Sequence, residues 1–317
     1  QDGGANYSSS RLKAEIDLRI SIIPTTYGER AVMRVLKKSS LAMNLESLGF
    51  SDAQKAIFKT AVDSPQGLVL VTGPTGSGKS TTLYGAINYL NKDDVNILTI
   101  EDPVEYSIEG IGQVQVRDEI NLTFSTALRS LLRQDPEIIL VGEIRDFETA
   151  DIATKAALTG HLVLSTLHTN SAIGAITRLV NMGLPKYLVS NAITCVIAQR
   201  LLRVNCKHCS RKYTAAEIEA ISKDQCFSTV NVENLRRGVG CEHCNHTGYS
   251  SRRAVHEVLS ITNDIKSAID AGETENKIYE IAKSHGYTLM MDRGLEYVNE
   301  GITTFEELMR SVPASVV

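Results

Sequence analysis

The residues with the clearest chemistry stand at 73–80, where Gly73-Pro74-Thr75-Gly76-Ser77-Gly78-Lys79-Ser80 follows the apolar run Leu68–Thr72. The pattern is G-x-x-x-x-G-K-[ST] in a strand–loop–helix setting, which is a phosphate-binding loop. Its glycines let the backbone curl until several N–H groups face one anion. The N-terminus of the following helix adds its dipole. Lys79 is placed to reach the β- and γ-phosphates of ATP, the Ser80 hydroxyl to ligate Mg²⁺, and Thr81 to complete the cradle. Glu143 closes a second segment, directly after the buried run Ile138–Val141 and Gly142. An acid in that place governs Mg²⁺ or its water shell. Glu101, Asp102 and Glu105 follow a third apolar run, with Pro103 stiffening the turn between them. One of these acids can orient or deprotonate an attacking water; residue types alone leave open which. His161 and His168 bracket a fourth run, with Ser165, Thr166, Thr169 and Asn170 at its exit. Such polar groups can sense a γ-phosphate or be structural, and the spacing decides for neither.

A different chemistry sits at Cys206-Lys-His-Cys209 and Cys241-Glu-His-Cys244. Two such pairs deliver four thiolates to a tetrahedral Zn²⁺, and a closed four-Cys site is structural. His208, His243 and His246 lie close by, but a four-thiolate set needs none of them. Cys195 and Cys226 are unpaired and expected to be buried or inert.

The elements that must position these groups follow from hydrophobic patterning. Leu68–Thr72, Ile97–Ile100, Ile138–Val141 and Leu162–Ser165 are short, nearly continuous apolar runs, as a parallel sheet covered on both faces requires. Helical patterns fill the intervals at Ser80–Leu90, Phe124–Leu132 and Phe147–Leu158. This alternation predicts an open α/β sheet, with ligands taken at the C-terminal ends of its strands. Upstream, residues 1–10 read as a polar loop. Ile16–Ile22 alternates as a half-buried strand stopped by Pro24, and Ala31–Leu36 forms a second apolar stretch. Downstream, short helices are split by Gly272, Gly286 and Gly301.

Composition narrows the field. The chain has 317 residues, 43% hydrophobic and 22% charged, with no Trp; this is a folded chain of about two or three domains. Lys+Arg is 33 against Asp+Glu 37, a net charge of -4, and no aromatic residues are interleaved with the arginines near the cysteines. A nucleic-acid partner is therefore not expected, although a zinc-containing nucleic-acid translocase is an alternative reading, as is a nucleotide-gated module without turnover. No apolar stretch approaches a membrane span and no signal-peptide pattern opens the chain. Because it begins at Gln1, it is expected to be part of something longer.

Taken in order, the blocks Gly73–Ser80, Thr99–Tyr106, Ile138–Asp146 and Thr159–Asn170 resemble the Walker A loop, Asp-rich box, atypical Walker B and His box of the type II secretion and type IV pilus assembly ATPases, the GspE/PilB family. The resemblance implies a RecA-like P-loop NTPase core with a partial small N-terminal α/β domain, a tetracysteine zinc module and C-terminal helices. The expected divisions are 1–38 (the truncated end of a PAS-like N-terminal domain), 39–44 (linker), 45–203 (core), 204–256 (zinc module) and 257–317 (helical part). It implies Glu105 as the acid activating water, Glu143 as the acid over Mg²⁺, and His161 and His168 as sensors. It also implies γ-phosphate arginines at Arg19, Arg34, Arg129 and Arg133. It further implies a cytoplasmic homohexamer, peripheral to the inner membrane, that works on membrane platform proteins of a secretion or pilus machine. The tetracysteine insert favours the assembly and secretion branch over retraction motors.

Overall fold

The computed structural model describes residues 2–9, 14–37 and 44–313. The chain divides into two compact units, at 1–42 and 43–317. In the first, β1 (Asp2–Ser9), β2 (Ala14–Thr25) and β3 (Gly28–Lys37) form an antiparallel sheet in the order β1-β2-β3. Two expectations change here. Residues 2–9 are a strand and not a loop, because a ladder with β2 satisfies their backbone despite side chains with no apolar period. Pro24 lies inside β2 opposite Glu29, next to the Thr25–Gly28 turn, where a strand tolerates a missing donor. The expected linker at 39–44 falls, apart from Asn44, outside the described residues.

The second unit opens with a 3-10 turn at Leu45–Leu48 and then α1 (Asp52–Val62), whose N-terminus is closed by a reciprocal Ser51/Gln54 capping box. Then come β4 (Gly67–Thr72), α2 (Lys79–Leu90), β5 (Ile97–Glu101), β6 (Gly112–Gln115), α3 (Phe124–Leu131), β7 (Ile138–Val141), α4 (Phe147–Leu158) and β8 (Leu162–Leu167). The expected strands and helices of this stretch are all present, with ends shifted by one or two residues. They are followed by α5 (Ala172–Asn181), α6 (Lys186–Ala192), β9 (Ile193–Asn205), β10 (Ser210–Lys212), α7 (Ala215–Ile221), β11 (Arg236–Gly238) and β12 (Tyr249–Ser260). Four short helices, α8 (Asn263–Ala271), α9 (Glu275–Ser284), α10 (Met290–Asn299) and α11 (Phe305–Ser311), complete the described chain.

Seven strands build one sheet in the order β12-β9-β4-β8-β7-β5-β6, parallel except for β12. Successive side chains of a strand point to opposite faces, so β4 splits cleanly. Val69 and Val71 join Phe58, Leu83 and Ile87 beneath α1 and α2. Leu68 and Leu70 join Leu128, Ala153 and Ile176 beneath α3, α4 and α5. Every residue of β4 is buried, which is why its sequence reads as one apolar run.

The pair β9/β12 was not read from the sequence. β9 runs into the first cysteine pair, β12 returns from the second, and they match antiparallel from Asn205↔Tyr249 to Cys195↔Ser260. The expected boundaries at 203/204 and 256/257 thus fall inside strands. The antiparallel ribbon β10/β11 lies within the intervening segment. The last helix is tied to β9 by Glu307, which accepts from Arg203 at 2.6 Å and Arg310 at 2.8 Å. Burial opposes charge on this carboxylate, but the two guanidiniums outweigh it and hold the pKa at about 2.

Candidate functional site

The parallel strands β4, β8, β7 and β5 are neighbours in that order, so their C-terminal ends deliver the four sequence blocks to one edge of the sheet. At strand spacings of ~4.8 Å, that edge runs roughly 14 Å from the loop after β4 to the acids after β5.

The Gly73–Ser80 loop joins β4 to α2 through left-handed backbone at Gly76 and Gly78, with φ of 78° and 90°. Gly73 is required by crowding as well as by conformation: a Cβ there would lie 2.6 Å from the Gln199 carbonyl oxygen. Ser77 is buried inside the curl, while Pro74, Thr75, Gly76, Ser80 and Thr81 are exposed. Lys79 turns back over its own loop, donating from Nζ to the carbonyls of Gly73 at 2.9 Å and Pro74 at 3.2 Å. Burial lowers the pKa of this ammonium, and the nearby Glu143 carboxylate works against that shift.

A residue with no sequence signature braces the loop. Gln199, buried in β9, donates from Nε2 to the Ser77 carbonyl at 2.6 Å and accepts from Thr82 Oγ1 at 2.8 Å. Its neighbour Arg200, also buried, donates to the side chain of Asn170 at 3.1 Å. Thr72 at the end of β4 bonds the Thr169 hydroxyl at 2.7 Å and accepts from the Thr169 N–H at 2.8 Å. The loop is therefore wired to the exit of β8 on one side and to β9 on the other.

Glu143 emerges beyond β7 with only 16% of its side chain exposed. One oxygen pairs with Arg145 and the other lies 3.4 Å from His168 Nε2. Arg145 also reaches Asp102 at 3.4 Å and lies over the Phe124 ring. Its pKa is raised, chiefly by the hydrogen bond to Glu143. The three acids after β5 now separate. Glu101 is buried and accepts from Tyr84, from Thr99 at 2.7 Å and from Gln113 at 3.1 Å. Asp102 belongs to Arg145. Glu105 is half-buried, and its backbone N–H donates to the Tyr84 hydroxyl at 3.2 Å.

Other expected residues lie elsewhere. His161 stands at the entry of β8, its Nδ1 3.1 Å from the Ala156 carbonyl oxygen. Six residues of strand, roughly 20 Å, separate it from the edge that carries His168. Arg129 pairs with Glu148 at 2.7 Å, and Arg133 donates to the Arg129 carbonyl at 2.8 Å. Arg129 lies in the last turn of α3 and Arg133 two residues beyond its end, both exposed. Arg19 and Arg34 are cross-strand partners in the first unit.

The cysteines converge as their spacing predicts. The sulfurs of Cys206, Cys209, Cys241 and Cys244 all lie within 4.8 Å of one another. The separations Cys206–Cys241, Cys209–Cys244 and Cys241–Cys244 are 3.8, 3.9 and 3.7 Å. A tetrahedral ion with metal–sulfur bonds of ~2.3 Å demands about 3.8 Å between sulfurs, so the set fits a Zn²⁺-sized ion. Backbone N–H groups of Gly240, Cys241 and Gly248 donate to Cys209 or Cys244 sulfur at 3.2–3.3 Å, which favours thiolates. His208 and His243 stack on each other, ring centroids 4.1 Å apart, outside that set.

Comparison with known proteins agrees with this geometry. The family model for Type II/IV secretion system proteins matches residues 1–310. The type II secretion system protein E of Dickeya dadantii is 48% identical over 295 residues, which cover 93% of this chain and 58% of that protein. The type IV pilus assembly ATPase PilB of Thermus thermophilus is 47% identical over 309 residues, covering 98% of this chain and 34% of that protein. Among solved structures, the pilus retraction motor PilT with bound ADP superposes with a TM-score of 0.69 at 28% identity, covering 98% of this chain and 78% of that one. The chain thus spans little more than half the length of the first relative.

Proposed function

Since the chain belongs to the type II/IV secretion system protein family, we propose that it is the nucleotide-hydrolysing part of a hexameric, Mg²⁺-dependent ATPase that powers type II secretion or type IV pilus assembly. The observation carrying this reading is the single sheet edge on which the phosphate loop, His168, Glu143 and the acids after β5 succeed one another. The loop N–H groups and Lys79 grip the β- and γ-phosphates. The Ser80 hydroxyl, with Glu143 nearby, would hold Mg²⁺, which would supply neutralising charge to the phosphate oxygens. Glu105 takes a proton from the attacking water as its oxygen bonds to the γ-phosphorus, and the bond from that phosphorus to the bridging oxygen of ADP breaks. His168, facing Glu143, reports the state of the γ-phosphate. Arg129 and Arg133, exposed at and just beyond the end of α3, and Arg19 and Arg34 are the arginines that would serve a γ-phosphate. The role for Glu105 rests on the family resemblance of the block Thr99–Tyr106 and on its place after β5, at the sheet edge that carries the phosphate loop.

The four cysteines hold one Zn²⁺ as a structural knot. The motor works at the cytoplasmic face of the inner membrane, against platform proteins of its machine. Among the described residues no helix is long and apolar enough to cross a membrane. A phosphate-release assay on the assembled protein tests the core of this reading. Lys79→Ala is expected to lower turnover by at least about 100-fold with loss of nucleotide affinity; an unchanged release rate overturns it.

A further inference from the structure

Tyr84 lies on α2, the helix that begins at Lys79, and is 2% exposed. Its hydroxyl makes two bonds of opposite sense: it donates to Glu101 and accepts from the backbone N–H of Glu105 at 3.2 Å. A carboxylate can only accept, so Glu101 fixes the phenolic proton on itself and leaves the oxygen lone pair for Glu105. Burial, followed by the Glu101 hydrogen bond, pushes the tyrosine pKa far above its usual value, so the hydroxyl remains a donor. Gln113 pins the same turn from the other side. It donates to Glu101 at 3.1 Å and to the Tyr106 carbonyl at 3.0 Å, and it accepts from the Ile108 N–H at 2.8 Å. The turn bearing Glu105 is thus fastened to the phosphate-loop helix through one phenol.

We propose that Tyr84 is a positioning residue for hydrolysis, holding the backbone of Glu105 in register with α2 so that the acid and the gripped phosphate keep a fixed relation. This rests on the reading of Glu105 as the group that activates water. A hydrogen bond acting through a catalytic acid changes turnover more than binding, since only the transition state uses the acid's exact placement.

Tyr84→Phe deletes both bonds while keeping the ring and its edge contact with Tyr106, whose centroid is 6.0 Å away. Measured on the assembled protein, this variant is expected to lower kcat about tenfold, with ATP and ADP affinity within about twofold of the unaltered protein. Combined with Glu105→Gln, it is expected to add no further loss, because both changes disable one unit. The proposal is overturned by an unaltered kcat in Tyr84→Phe beside a slow Glu105→Gln. It is equally overturned by multiplicative losses in the double variant, or by affinity falling in step with turnover. An unaltered kcat in Glu105→Gln itself removes the underlying reading of that acid, and this proposal with it. If Tyr84→Phe does not fold, Glu101→Gln weakens the same lock while keeping an acceptor for the phenol, and it is judged by the same split between kcat and affinity.

Discussion

Glu143 is held by two partners of different character, a permanent guanidinium on one oxygen and an imidazole 3.4 Å from the other. Replacing it with Gln keeps its shape and removes the charge that both partners face. Glu143→Gln is expected to bind ATP at near-normal affinity and to release phosphate at least about 100-fold more slowly, as read by equilibrium nucleotide binding beside single-turnover kinetics. At this scale the sequence announced the loop, because its glycines and lysine carry their own geometry, and it announced an acid after an apolar run. It could not rank Glu101, Asp102 and Glu105, whose surroundings come from the fold: Tyr84, Thr99 and Gln113 at the first, Arg145 at the second and Tyr84 at the backbone of the third. Nor could it distinguish His161 from His168, which look alike in sequence and sit at opposite ends of one strand.

Strands were legible where both faces are covered, since β4, β7 and β8 then become unbroken apolar runs. β9 and β12 escaped because they mix apolar residues with Gln199, Arg200, Arg203 and Arg253, whose partners lie far away in the chain. That polarity has work in β9. Gln199 satisfies the Ser77 carbonyl and the Thr82 hydroxyl, both buried, so a side chain of similar size without hydrogen-bonding groups orphans two polar atoms. Gln199→Leu is expected to cost about 2 kcal/mol of stability and to weaken nucleotide binding roughly tenfold. Thermal melts and titration calorimetry with ADP check these two effects; full affinity in a folded variant refutes the bracing role. An inspection for buried glutamine could not have found it, because nothing in the local pattern marks its register against the phosphate loop.

For the molecule as a whole, the fold class was written in the alternation of runs and helical patterns, and the convergence of the four cysteine sulfurs in their spacing, at distances that fit a tetrahedral ion. Residues 206–248 rest Tyr213, Phe227 and Leu235 on the main core, but the turns that carry the cysteines have no such anchor, so an ion on the four sulfurs would order them. Purified protein is expected to hold one zinc per chain, released by a strong chelator or lost in Cys206→Ser, with a fall in melting temperature on the order of 5 °C. Metal analysis finding no zinc in fresh protein removes the centre.

The segment that carries the four cysteines leaves the sheet at Asn205 and re-enters it at Tyr249, and these two residues face each other across the ladder. Everything between them enters and leaves the sheet side by side, and it also rests on the last two helices, where Tyr213 and Arg237 meet Glu306, Phe227 lies edge-on to Phe305 and Asn231 bonds Asn299. Such an arrangement uncouples the segment's size from the register of every other strand. Growth at its exposed turns can leave the sheet in register, whereas removal of the whole segment would strip Phe305, Glu306 and Asn299 of their neighbours.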